Sequence, residues 1–219
     1  MKYLSLLILV LTFLFTSCSL INMKNKNEVK PEPQEAVKTQ EELQAIEKAR
    51  NDSIENAQFE LLQKTAIGEV LFGMEKQKVE QVNERRQILG KYNYNSNHSY
   101  NGDGQLYSLV LNSDSEKAIN YDTGLKNKYT NLRKIISIKY GEPVTNRPYP
   151  SIFDVQKAGT YWINKWQFGT KQISLGLKEN SLNSYIVRCK ITDSPMEEDE
   201  FQRLKNIKDK DYIEAAEKF

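Results

Sequence analysis

The sequence contains few of the residues that usually carry enzyme chemistry. It has one histidine, His98, and two cysteines, Cys18 and Cys189, in 219 residues. A zinc site draws on several Cys and His ligands, so this count argues against one. No Gly-rich phosphate loop, G-x-S-x-G motif or H-E-x-x-H motif is present. We therefore predict no metal, no cofactor and no catalytic residue.

The sequence also lacks an excess of charge of either sign. Lys and Arg number 31 and Asp and Glu number 29, which leaves a formal net charge of +2. The two signs are interspersed, and no basic segment of the kind that binds nucleic acid stands out. The sequence therefore predicts no nucleic-acid partner.

Three polar features imitate functional sites, and for each a structural interpretation is favoured. His98 lies among Asn and Ser residues that predict a mobile loop tip, without an orienting partner for a catalytic imidazole. Residues 97–103 imitate the start of an EF-hand loop, but the twelfth position is Ser108 rather than a bidentate glutamate. The acidic run 196–200 favours a helix start over a cation site, because negative charge there complements the helix dipole. A hydrolase that depends on His98 is the least favoured function class.

Residues 1–18 follow the order of a secretion signal. A basic start precedes an apolar run over residues 4–15, and two small residues come next. A bilayer-spanning helix needs about 20 residues, so a cleaved signal peptide over 1–17 is favoured over an uncleaved anchor helix. Cys18 follows the small residues directly, and this arrangement resembles the lipobox of bacterial lipoproteins. The resemblance implies cleavage before Cys18 and a diacylglyceryl group on its thiol.

The lipobox resemblance also predicts a location. An acylated Cys18 would bind the lipid bilayer, since each buried acyl CH₂ contributes about 0.8 kcal/mol. Ser19 stands where inner-membrane lipoproteins usually carry Asp, which implies the outer membrane of a Gram-negative bacterium. Residues 20–24 lack the acidic cluster of some surface-exported lipoproteins, which favours the periplasmic face.

Two segments separate the predicted anchor from the predicted domain. Residues 18–34 are polar and contain Lys and Pro, which predicts a flexible tether. Residues 35–65 are rich in Ala, Glu, Gln and Lys, which predicts a helix. Its apolar stripe is interrupted, so a solvated stalk is favoured, and a partner helix for oligomerisation remains as the alternative.

Residues 66–219 predict one α+β domain. A stripe of apolar residues at helical spacing predicts an amphipathic helix over residues 125–140, which Gly141 ends. Strand patterns occupy residues 88–94, 105–112, 160–168, 172–178 and 185–192. In the last of these, alternation places Cys189 on the inward face as a small core residue rather than a nucleophile. We predict an antiparallel sheet of about five strands with helices on one face, preceded by the stalk helix.

Two short motifs suggest a family likeness. Gly73-Met74 is followed by Val79 at a helix start, and Tyr140-Gly141-Glu142-Pro143 follows the amphipathic helix. This combination over residues 67–192 resembles the small outer-membrane assembly lipoproteins of the β-barrel assembly machine and β-lactamase-inhibitor-like domains. In related α+β lipoproteins the second motif precedes a strand that carries a Trp. The likeness implies the fold, whereas a shared fold does not transfer an activity.

Aromatic side chains are the best binding candidates. We single out Tyr92, Tyr100, Trp162 and Trp166, because aromatic rings give large contact areas. The favoured function is a non-enzymatic, membrane-anchored envelope lipoprotein that binds an envelope protein as an interaction or assembly module. The alternative is a ligand-binding or inhibitor module that recognises a peptide, a glycan or an enzyme through an aromatic sheet face.

Overall fold

The computed structural model describes residues 40–216. The predicted signal peptide, Cys18, the tether and residues 35–39 of the predicted stalk lie outside the described residues. The chain divides into two compact units, Met1–Glu47 and Lys48–Phe219. In the first unit the described residues are helical, and the features below belong to the second.

The described residues contain ten strands and five α-helices. The strands are β1 (Thr65–Ile67), β2 (Val70–Leu71), β3 (Arg86–Leu89), β4 (Tyr92–Tyr100), β5 (Leu106–Ser113), β6 (Glu116–Lys117), β7 (Thr145–Asn146), β8 (Thr160–Phe168), β9 (Lys171–Ser181) and β10 (Ser184–Asp193). The helices are α1 (Gln40–Lys64), α2 (Lys76–Val82), α3 (Lys126–Tyr140), α4 (Ile152–Ala158) and α5 (Ser194–Ala216). A 3₁₀ turn (Ala118–Asn120) and a π turn (Tyr121–Leu125) lead into α3. The predicted α+β class is confirmed.

Eight of the strands form one antiparallel sheet. Their order is β3-β4-β5-β10-β9-β8-β7, and β6 pairs with β10 beside this row. β1 and β2 form a separate two-stranded sheet. The centre of the large sheet is therefore β5, β10 and β9, which brings residues from the two ends of the domain sequence side by side.

Helices α3 and α4 cover one face of this sheet. The predicted stripe of α3 is buried, with Tyr129, Leu132 and Ile136 in the main core together with Val155 of α4. The strands contribute alternate residues to the same core, which confirms that Cys189 points inward, where it is 1 % exposed. Each fully buried aliphatic side chain contributes about 2 kcal/mol, so this layer is the main source of stability. Gly141 ends α3 with a φ of +78°, as predicted.

The predicted number of about five strands is wrong, since the sheet has eight. The pattern at residues 88–94 is not one strand but the junction of β3 and β4, which turn at Gly90 with a φ of +66°. The strands β6 and β7 have two residues each. A two-residue strand is too short to show an alternating pattern, so its sequence gives no signal.

Strand β4 also extends further than predicted, through Tyr100. The predicted loop tip at His98 is wrong, because residues 95–100 pair with β5. Ser96 points to the core side and donates hydrogen bonds to the carbonyls of Glu84 and Arg85, at 3.5 and 3.2 Å. A polar strand is stable here because its inward hydroxyl has acceptors within the fold.

Side-chain caps begin two of the helices. Residues 147–159 contain α4, which Ser151 caps through a capping box with Asp154. At the start of α5, the Asp193 carboxylate accepts a hydrogen bond from the Met196 amide. The carboxylate of Glu197, in the first turn of α5, forms an ion pair with Lys190. α5 runs to Ala216 as one helix.

A buried lysine lies under the end of α1. The Nζ of Lys171 donates to the carbonyl oxygens of Leu62 and Thr65 and to the Tyr140 hydroxyl. Its side chain has no exposed surface. These hydrogen bonds connect the end of α1 to β9.

Candidate functional site

The face of the sheet turned away from α3 and α4 is polar, and we call it the open face. On β10, Val187 and Cys189 point into the core, so Arg188 and Lys190 point to the open face. The strand register places Arg188 between Gly176 of β9 and Asn112 of β5. Antiparallel sheets commonly expose one face in this way. Helix α5 borders it through Glu197, which reaches Lys190.

Trp162 stands in the same row, next to Gly176. The register of β8 shifts between Trp162 and Asn164, and this bulge brings the β8 backbone close to β9. A Cβ at position 176 would lie 2.1 Å from the Tyr161 carbonyl oxygen. Glycine at this position is therefore required for the close approach of the two strands beside Trp162.

A shallow groove of about 640 Å³ crosses the open face. Tyr107 and Ser108 border it at a register shift between β4 and β5. The remaining lining residues are Ser99, Val110, Ala158, Gly159, Thr160, Trp162, Lys178, Arg188, Lys190 and Glu197. The groove thus joins two aromatic residues to a floor of basic and small polar side chains.

Three cations of the open face have no carboxylate partner. Among the ion pairs of residues 40–216, none involves Lys165, Lys178 or Arg188. The acidic groups nearby are Glu197, which pairs with Lys190, and Asp114, which pairs with Arg86 at 3.7 Å and lines a neighbouring depression of about 410 Å³ with Lys178 and Arg188. Two of the three, Lys178 and Arg188, line the groove, and their positive charges favour an anion there.

Within residues 40–216, two polar atoms on the open face have no hydrogen-bond partner. The Nε of Arg188 and the Oδ1 of Asn112 are both buried and unpaired, and the two residues are neighbours in the β5–β10 register. A buried polar group without a partner costs about 1–3 kcal/mol. The arrangement leaves one donor and one acceptor available to a molecule that binds here.

The four aromatic residues predicted from the sequence are scattered. Trp162 lines the groove. Trp166 is 2 % exposed and donates its Nε1 hydrogen to the Gly141 carbonyl at 2.9 Å, so it belongs to the core. Tyr92 packs against the main core, and Tyr100 packs against a smaller core beside α2. Only Trp162 of the four therefore belongs to the candidate surface.

His98 borders a second depression of about 600 Å³, which lies beside α2. Asn83 approaches its Nε2 at 2.8 Å with the amide nitrogen, while the Asn83 oxygen accepts from Gln87. This places the proton of the neutral imidazole on Nδ1. Burial, with the charge of Arg85 added, lowers the pKa of His98. Ser96 donates to backbone carbonyls rather than to His98, so the pair does not form an activated nucleophile.

Neither a membrane span nor a metal site is evident within residues 40–216. No helix there is both long and apolar enough to cross a bilayer. The same residues contain no cluster of three or more His, Cys, Asp or Glu side chains suited to a metal ion.

Arg188, Lys178 and Asn112 are the residues that the sequence analysis missed. The alternation that placed Cys189 inward also placed Arg188 outward, so that signal was present in the sequence. Their meeting depends on the pairing of β10 with both β5 and β9, which no local pattern reveals.

Comparison with known proteins gives no assignment. No protein-family model matches the chain, no curated protein matches it, and no solved structure matches it. The geometry of the molecule itself is therefore the basis for a functional proposal.

Proposed function

We propose that the chain is a non-enzymatic envelope lipoprotein that is acylated at Cys18 and binds another envelope protein through the open face of its sheet. One observation supports the open face as the docking surface. Within residues 40–216, α3 and α4 pack on the opposite face, and the open face presents Trp162 beside Lys178 and Arg188, which are in no ion pair there. The surface is therefore suited to a partner rather than to packing within the domain.

The composition of the groove supports this role. Trp, Tyr and Arg are the residue types most enriched among those that dominate protein-binding energy. Here Trp162, Tyr107 and Arg188 border one groove. Small and polar residues between them leave the surface shallow, as a protein partner requires, rather than deep, as a small ligand would.

The anchor rests on the sequence of the first 18 residues. A lipid on Cys18 would hold the chain at the outer membrane, on the periplasmic side. Helix α1 has no buried residue, which is compatible with a solvated stalk between that anchor and the α+β domain. A partner in the envelope would then meet a domain that is confined to the membrane surface.

Site-specific crosslinking in cells tests the docking surface. A photoreactive benzoylphenylalanine replaces Val110, which lines the groove. The matched control places it at Leu182, which is 88 % exposed in the turn between β9 and β10. We expect a discrete protein adduct from position 110, and Trp162→Ala should weaken it. Adducts of equal yield from both positions, or none from position 110, would contradict docking at the groove.

The anchor has a separate test. Cys18→Ser removes the thiol that would be acylated, so we expect the variant to leave the membrane fraction. Cys189→Ser is the control, because its side chain is buried and should not affect fractionation. A Cys18→Ser variant that stays in the membrane pellet, with no acyl mass on the parent protein, would contradict lipidation.

A further inference from the structure

Building on the docking role above, we propose that the groove binds an extended acidic polypeptide segment, and that Arg188 receives one of its carboxylates. The chemistry of the partner follows from three features of the open face: its charges, its two unpaired polar atoms and the spacing of its basic residues.

The charges of the open face favour binding of an anionic partner. Lys178 and Arg188 line the groove and are in no ion pair within the described part of the chain, and Lys165 lies on the same face beside Trp162. Uncompensated cations on a partly buried surface repel basic partners and attract acidic ones, which fixes specificity more than affinity.

Arg188 offers the most specific contact. Its Nε is buried without an acceptor, and a guanidinium can bind a carboxylate through two parallel hydrogen bonds. Asn112 carries an acceptor oxygen at the neighbouring register position, where it lines a depression of about 410 Å³ that Arg188 shares with the groove. A polypeptide carries both complementary groups close together, a side-chain carboxylate for Arg188 and a backbone N–H for Asn112.

The spacing of the basic residues also suits an extended chain. Arg188 and Lys190 are alternate residues of β10, so their Cα atoms are separated by about 7 Å. Alternate side chains of an extended peptide have the same separation of about 7 Å. The carboxylate of Glu197 already binds Lys190 on this face, so a peptide carboxylate at this position would take the place of Glu197.

Tryptophan fluorescence provides the assay. Trp162 lines the groove while Trp166 is buried, so a ligand in the groove should change the emission of Trp162. The full-length protein in detergent is titrated with short poly-L-glutamate, and isothermal calorimetry checks the affinity. We expect saturable binding that weakens as salt rises, and no binding of poly-L-lysine.

Charge-removing variants locate the contact. Arg188→Met should weaken poly-L-glutamate binding by about 10- to 100-fold, the range for a lost charged hydrogen bond. Arg133→Met is the matched control on α3, and it should bind like the parent. If Arg188→Met fails to fold by circular dichroism, Arg188→Lys keeps the charge without the planar fork and should bind several-fold more weakly. Parent-like binding by the folded Arg188 variants would overturn the proposal.

Titration with a carboxylate-bearing glycan tests whether the groove prefers an acidic peptide to an acidic sugar. Polygalacturonate that binds as tightly as poly-L-glutamate, with the same dependence on Arg188, would replace the acidic peptide by an acidic glycan. Different results would contradict the docking role and the acidic partner. Position-specific crosslinks at residue 110 without poly-L-glutamate binding would overturn only the acidic partner. Loss of those crosslinks with poly-L-glutamate binding intact would overturn only the protein partner.

Discussion

Replacement of Lys171 by Met should change how the stability of the domain depends on pH. Burial, with the charge of Lys139 added, lowers the pKa of Lys171 from 10.5 to about 7. Lys171→Met keeps most of the apolar volume and removes the titrating group. The variant leaves the carbonyls of Leu62 and Thr65 without their donor, so its overall stability should also fall.

The sign of the effect follows from the two protonation states. Below pH 7 the amine is protonated in the folded and the unfolded chain, so the cost of burying its charge is fully present. Between pH 7 and 10.5 the folded chain releases the proton while the unfolded chain keeps it, so stability rises with pH. The gain from Lys171 between pH 6 and pH 8.5 is about 2 kcal/mol.

The titratable groups next to Lys171 do not mask the rise in stability between pH 6 and pH 8.5. Burial raises the pKa values of Tyr140 and Cys189 to about 12, so both remain protonated in the folded chain. In the unfolded chain the Cys189 thiol titrates near 9.0, which lowers stability only at the upper end. That contribution is common to the parent and the variant, and it cancels in their difference.

Urea unfolding at pH 6, 7 and 8.5 measures the effect. We expect the free energy of unfolding of the parent to rise with pH by about 2 kcal/mol more than that of Lys171→Met. NMR titration of ¹³C-labelled lysine gives the pKa of Lys171 directly. Parallel stability profiles, or a Lys171 pKa close to that of a free lysine, would refute the reasoning.

Three further substitutions test the packing around the sheet. Gly176→Ala should destabilise the domain by about 1–3 kcal/mol, because its Cβ would overlap the Tyr161 carbonyl, whereas Ser174→Ala on the same strand should cost less; urea unfolding compares them. Ser151→Ala removes the cap of α4 and should cost about 1 kcal/mol, measured as a lower thermal midpoint. Trp166→Phe loses the hydrogen bond to the end of α3, which should cost about 1 kcal/mol and leave the groove titration unchanged. An unaltered midpoint for any of the three would show that the contact is not stabilising.

Local patterns predicted the elements whose side chains repeat on one face. The stripe of α3 and the alternation in β9 and β10 both reflect burial against a single layer, so periodicity in the sequence reports it directly. The stop at Gly141 could be predicted for a similar reason, since a left-handed residue after a helix favours glycine.

The elements that were missed depend on contacts distant in sequence. The Asn and Ser residues of segment 95–100 predict a loop. The segment is a strand because it pairs with β5 and because the Ser96 hydroxyl finds an acceptor within the fold. The capping box of α4 had a local signal, Ser151 followed by Asp154, which the Pro-rich surroundings hid.

The candidate site was the least predictable part. Aromatic content identified Trp162, but could not separate it from Trp166, whose opposite placement depends on the bulge in β8. Arg188 and Asn112 meet only through the strand order β5-β10-β9, which joins a hairpin at one end of the domain to a hairpin at the other. A strand order of this kind is a property of the whole chain.

Because the thiol of Cys189 is buried, its chemical modification reports how often the domain opens. Because the sulfur is inaccessible in the folded molecule, an alkylating reagent can reach it only during an excursion that separates the sheet from α3. In oxidising surroundings each such excursion exposes a sulfur that can be trapped in a mixed disulfide. Survival of the protein there would then be governed by how rarely it opens, a rate, rather than by its equilibrium stability.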